Sequence, residues 1–103
     1  MTARDGDLPR DRTPAPDPGL RPFFDPHGRL IVVPAKRAKR LAVLDRLAQL
    51  FEPGERYSES EVNQRLRPVH DDVAMLRRQL VDEGFLDRAG GVYWRIGGTV
   101  TGI

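Results

Sequence analysis

Between Lys36 and Phe51, apolar residues recur at spacings of three and four. Leu41, Leu44, Leu47, Ala48 and Phe51 form one stripe, which Val43 and Leu50 widen. This period predicts an amphipathic helix over about Lys36 to Phe51. Glu52-Pro53-Gly54-Glu55 stops it, because proline lacks the N–H that the next turn needs and glycine frees the backbone. Ser58 and Glu61 then stand at the Ser-x-x-Glu spacing of a capping box, in which each side chain closes the other residue's open backbone donor. A short second helix is expected from about Glu59 to Arg67, with Val62 and Leu66 inward and Pro68 as its stop. Asp71 or Asp72 caps a third, which turns Val73, Leu76, Leu80 and Val81 inward and ends at Gly84.

Beyond Gly84 the period changes from helix to strand. Phe85-Leu86-Asp87-Arg88 and Val92-Tyr93-Trp94-Arg95-Ile96 flank Ala89-Gly90-Gly91, whose glycines accept the positive φ of a tight hairpin. Alternation puts Tyr93 and Arg95 on one face of the second strand. Trp94 shares the other with Val92 and Ile96, and Trp94 is assigned to the core. Ahead of the helices, Phe23-Phe24 opens the ordered region and Asp25-Pro26-His27-Gly28 reads as a turn. Leu30-Ile31-Val32-Val33, closed by Pro34, predicts a short strand. The order specifies an α+β fold, mainly α: a winged helix-turn-helix of three helices and a C-terminal β-hairpin, with a short strand before the first helix.

Composition trims this picture at both ends. Residues 1–22 carry Pro9, Pro14, Pro16, Pro18 and Pro22 among alternating Arg and Asp, with only Leu8 and Leu20 as sizeable aliphatics. A segment this poor in apolar surface does not offset its ordering entropy and is expected to be a disordered tail. Residues 23–96 form the domain, and 97–103 a frayed C-terminus. The folded part is small enough that a deep catalytic cleft is hard to build. The absence of cysteine excludes disulfides, thiolate metal sites and cysteine nucleophiles. No apolar run approaches the roughly 20 residues of a membrane span. The first residues carry no apolar signal-peptide core, so a cytoplasmic protein is expected. The abundance of Arg, Ala, Pro and Asp points to a GC-rich bacterial source.

Charge is unevenly placed. The formal net charge is only +2, yet Lys36 to Arg46 holds five cations against Asp45, and Glu52 to Glu61 holds four carboxylates against Arg56. Lys36, Arg37, Lys39 and Arg40 fall in the first turn of the predicted first helix, where the dipole disfavours each cation by some tenths of a kcal/mol. A run that opposes its own helix points to anion binding, with the helix N-terminal amides as further donors. The competing reading is a solvated face whose cations pair with Glu52, Glu55 or Glu59.

In the third helix Arg78 and Gln79 lie outside and are side chains able to read guanine and adenine edges. The same helix opens with His70, Asp71, Asp72 and Met75, and two carboxylates there repel phosphate. On the bland reading the helix only packs, with Arg77 and Arg78 paired to Asp82 or a nearby Glu. In the hairpin, Arg88 and Arg95 interleave with Tyr93 and Trp94 and are candidate phosphate contacts. His27 and His70 are too separated for a metal pair, and Ser58 has a cap's position without a base partner. No Gly-rich phosphate loop follows a strand. No enzyme, catalytic residue, metal or cofactor is expected.

Several blocks carry a resemblance. Arg29-Leu30, Pro34-Ala35-Lys36-Arg37, Lys39-Arg40, Phe51-Glu52-Pro53-Gly54, Tyr57-Ser58-Glu59 and Glu61-Val62-Asn63 combine with Leu76-Arg77-Arg78-Gln79-Leu80-Val81-Asp82 and Gly91-Val92-Tyr93-Trp94-Arg95. Together, over about Phe23 to Arg95, they resemble a bacterial family of unknown function that occurs alone or appended to ArsR-type repressor domains. The resemblance implies a regulator-like context and supplies no catalytic residues. The expected function is a nucleic-acid-binding regulatory module, with duplex DNA as partner. The alternative is a protein-interaction or dimerisation module, in which Asp71, Asp72, Glu52, Glu55, Glu59 and Glu61 face a basic partner or a second copy. Single-stranded RNA binding through Tyr93 and the arginines is a third reading.

Overall fold

The computed structural model describes residues 18–100; the tail expectation for 1–17 and the frayed end at 101–103 lie outside them. A 3-10 helix at Pro18–Phe23 leads to helix α1 (Arg37–Ala48), strand β1 (Arg56–Ser58), helices α2 (Glu59–Leu66) and α3 (Val73–Asp82), and strands β2 (Leu86–Ala89) and β3 (Val92–Arg95). The strands form one antiparallel sheet in the order β1-β3-β2. Three helices and a small three-stranded sheet make an α+β arrangement compatible with a winged-helix order. No helix among the described residues is long and apolar enough to cross a membrane.

The boundaries follow the local chemistry. Ser58 Oγ accepts from the Glu61 N–H at 3.1 Å while Glu61 Oε1 accepts from the Ser58 N–H at 2.8 Å, which completes the predicted capping box of α2. Asp72, not Asp71, caps α3 by accepting from the Met75 N–H at 3.1 Å. Helix α1 is shorter than its stripe. Beyond Ala48, the N–H groups of Gln49, Leu50 and Phe51 reach back only three residues, a tighter turn that swings Phe51 into the core.

The core joins Leu44, Leu47 and Phe51 to Val62 and Leu66 of α2, Leu76 and Leu80 of α3, and Leu86 and Tyr93 of the sheet. The Phe51 and Tyr57 rings meet edge to face, 5.2 Å apart at 78°. Tyr57 Oη accepts from the Glu52 N–H at 2.8 Å, so a buried hydroxyl has a partner and the α1–β1 link is fixed.

Five features depart from the sequence reading. Strand β1 falls between the predicted stop of the first helix and the cap of the second, where no strand is expected; three residues are too few to show alternation, and its last residue doubles as the α2 cap. The phase of β3 is the reverse of the expected one, with Tyr93 buried and Trp94 only partly covered. Tyr93 stands directly opposite Tyr57, and both turn to the helices, whereas Trp94 stands opposite Arg56, whose guanidinium lies 5.1 Å from the indole ring. Leu30–Val33 is not a strand. Leu30 makes a single bridge to Phe24, flanked by the Ile31 N–H donating to Phe23 O at 2.7 Å, and its own N–H reaches Val69 O, while Ile31 and Val32 are 61% and 51% exposed.

The ends of the described chain are more engaged than composition suggested. Leu20, assigned to the tail, is buried from the 3-10 helix. Gly97 approaches α3's end so closely that a Cβ there would stand 2.5 Å from Gly84 O, and Thr99 donates from its N–H and hydroxyl to Asp45. Leu20→Ala is expected to lower unfolding stability by about 2 kcal/mol in urea titration. A change of less than about 0.5 kcal/mol, the level of an ordinary surface substitution, would show that this turn does not dock.

Candidate functional site

The basic run at the start of α1 is divided between committed and free cations. Lys36 occupies the N-cap position in extended backbone, without a side-chain cap. The Arg37 guanidinium donates to Glu83 Oε1 at 2.8 Å, and Arg40 approaches Glu83 Oε2 at 3.9 Å while donating to Ala35 O at 3.0 Å. Glu83 is the C-cap residue of α3. Cations at one helix's start and a carboxylate at another's end are each disfavoured by the helix dipole, and juxtaposing them offsets both costs. The hydrogen bond from Arg37 holds the Glu83 carboxyl below its ordinary value, with burial opposing. The competing reading named Glu52, Glu55 or Glu59 as partners, and the carboxylate that meets Arg37 and Arg40 is Glu83 instead. Lys36 and Lys39 are exposed and have no side-chain partner among the described residues.

The carboxylates that open α3 are also committed. Asp71 meets Arg29 at 3.0 Å, and Asp72 is the cap, its own N–H donating to His70 Nδ1 at 2.9 Å. Arg77 is held on α2, donating to Asn63 Oδ1 and lying 3.8 Å from Glu59 Oε2, while the Tyr93 hydroxyl donates to Glu59 Oε1 at 3.3 Å. Gln79 turns its Oε1 into a covered position without a hydrogen-bond partner among the described residues, so that oxygen is not offered to solvent.

A groove of about 330 Å³ runs between α3 and the hairpin. Helix α3 lines it with Ala74, Arg77, Arg78, Val81 and Asp82, and the hairpin with Arg88 and Tyr93. Arg78 and Arg88, carried by different elements, are both exposed, and neither guanidinium has a partner among the described residues. Helical periodicity sets Arg78 on the hairpin side of α3 and Glu83, with the α1 run, on the other.

Arg95, expected to contact phosphate, is placed differently. Its guanidinium donates to Gly97 O at 2.8 Å, Phe51 O at 3.0 Å and the Thr99 carbonyl. Sharing the inward face with Tyr93, it reaches the edge of the core, where the carbonyls beyond α1 lack helical partners. Of the eight candidates, the structure thus brings Arg78 and Arg88 together, sets Lys36, Arg37, Lys39 and Arg40 at the far side of α3, and turns Arg95 and the Gln79 oxygen away. The sequence reading missed Glu83. An acid at a helix C-terminus, unfavourable by itself, was the available signal.

A family model described as "Uncharacterized protein conserved in bacteria (DUF2087)" matches residues 29–95, and the chain belongs to this family. The matched stretch contains all three helices and the sheet. No curated protein and no solved structure matches the chain.

Two stability measurements test these assignments. Because the Glu83 carboxyl is lowered in the folded state, its contribution is present above the ordinary glutamate value of 4.5 and is lost as pH falls through the lower folded value. The Tm gap between the wild type and Glu83→Gln should therefore narrow as pH is taken below that value; a constant gap would contradict the pairing. Arg95→Gln should cost about 2 kcal/mol in urea unfolding, through carbonyls left unpaired.

Proposed function

We propose that this chain is a winged helix-turn-helix module that binds duplex DNA, with α3 and the β2–β3 wing as the contacting elements. The observation that carries the reading is the pair Arg78 and Arg88, uncommitted within the fold and bordering one groove from a helix and from the wing. Guanidiniums left without internal partners gain most from phosphate, and phosphate contacts supply the bulk of duplex affinity. Lys36 and Lys39 extend the positive surface beyond the other side of α3. The main objection from sequence weakens as well: Asp71 is paired with Arg29 and Asp72 is spent on the helix cap.

The element order supports the fold part of the proposal, with a strand between the first two helices and a hairpin after the third. Transcription regulation in a bacterial cytoplasm is the context suggested by the resemblance to proteins that carry ArsR-type repressor domains. Direct base reading falls to Arg78, since the Gln79 oxygen is covered. The alternative, an acidic surface for a protein partner, has lost several members: Glu61 closes the capping box and Glu59 is occupied by Tyr93 and Arg77.

Fluorescence anisotropy with a labelled mixed-sequence duplex tests the proposal. Affinity should fall steeply between about 50 and 200 mM salt, and Arg78→Ala/Arg88→Ala should reduce the slope of log K against log salt by about two. Lys36→Ala/Lys39→Ala should also weaken binding. No affinity at low salt, or a slope unchanged in the Arg78/Arg88 variant, would sink the reading.

A further inference from the structure

We propose that the groove between α3 and the wing is a binding site for a small phosphate monoester, whose occupation lowers affinity for duplex DNA. The competition rests on the DNA reading above; the site itself does not.

Three guanidiniums border this concavity, and its volume of about 330 Å³ falls at the small end of ligand pockets. Arg77 is held from behind by Asn63 and Glu59, which makes it a fixed donor. Arg78 and Arg88 arrive from separate elements with no carboxylate partner among the described residues, although Asp82 lines the same groove. Like charges gathered around a concave surface repel one another and focus a positive potential into it. A dianion placed between them relieves that repulsion. The planar fork of arginine matches phosphate oxygens two at a time, so the geometry selects a phosphate head over a single carboxylate.

The rest of the lining specifies the organic part. Ala74 and Val81 supply a small apolar floor beside the cations, and Asp82 offers carboxylate oxygens that accept from a hydroxyl. A short, hydroxyl-bearing monoester satisfies all three features. The groove is too small for a dinucleotide cofactor. Since Arg78 and Arg88 are also the cations assigned to duplex phosphates, one ligand excludes the other.

The test uses the full ¹⁵N-labelled chain at about pH 7.5, above the second phosphate ionisation near 6. Glycerol 3-phosphate and inorganic phosphate are titrated against sodium chloride of matched ionic strength. Saturable, single-site shifts are expected at the Ala74, Arg78 and Val81 amides and at the Arg78 and Arg88 side chains, with glycerol 3-phosphate binding more tightly. Arg78→Gln/Arg88→Gln should weaken binding about tenfold or more without lowering the melting temperature, as both side chains are exposed and their mutual repulsion is removed. Shifts reproduced by sodium chloride, or binding unaffected in the double variant, would overturn the site. In a second arm, saturating glycerol 3-phosphate should weaken duplex binding several-fold. Duplex binding that persists unchanged overturns the competition. Saturable monoester binding in a chain with no duplex affinity supports the site and removes only the DNA reading.

Discussion

Tyr57 is the residue through which the separate elements become one body. Its ring meets Phe51 edge-on at the end of α1, and its hydroxyl accepts the Glu52 N–H in the link beyond. Its backbone pairs with Tyr93 in the central strand, and the next residue caps α2. The Arg65 guanidinium closes the outside, 4.8 Å from the ring. A T-shaped aromatic pair adds about 1 kcal/mol beyond the area it buries. The larger effect is geometric. One buried residue sets the angle of α1 to the sheet, the register of β1 on β3 and the starting point of α2, so none of these can vary independently.

Charge is arranged by the same economy of position. Helix α1 begins with cations and α3 ends with a carboxylate, each unfavourable alone, and their meeting turns two local penalties into a tertiary contact. Asp72 and Glu61 lie where helix dipoles favour acids and act as caps. Arg95 closes carbonyls past α1, and Arg77 joins α2 to α3. Once these are assigned, Lys36, Lys39, Arg78 and Arg88 remain uncommitted among the described residues, as do Arg21 and Arg67 elsewhere on the surface.

How far the sequence discloses this depends on whether a feature is local. Capping at Ser58 and Asp72, the stop at Gly84 and the two glycines of the hairpin act within a few residues, and each is readable, whereas the α1 helix ends at Ala48, before the Pro53 stop. Gly90 and Gly91 adopt φ of 58° and 79°, as the turn chemistry requires. Features set by partners distant in sequence are not. The phase of β3 depends on Tyr57 lying across from Tyr93, and β1 exists only because β3 offers it an edge. Arg95 has the composition of a phosphate ligand but a position that places it over open carbonyls. Distinguishing Arg88 from Arg95 needed the third dimension, since both are strand arginines near the same aromatics.

The central position of β3 carries a consequence for how such a domain can diversify. β1 pairs with β3 up to Val92, at the edge of the turn, so register is fixed below the tip, and Ala89–Gly91 is exposed throughout. Residues added there would lengthen the hairpin without shifting Tyr93 or the helices. The fold thus separates a buried anchor from an exposed fingertip. Related chains could acquire different reach and charge at that tip while keeping the same interior.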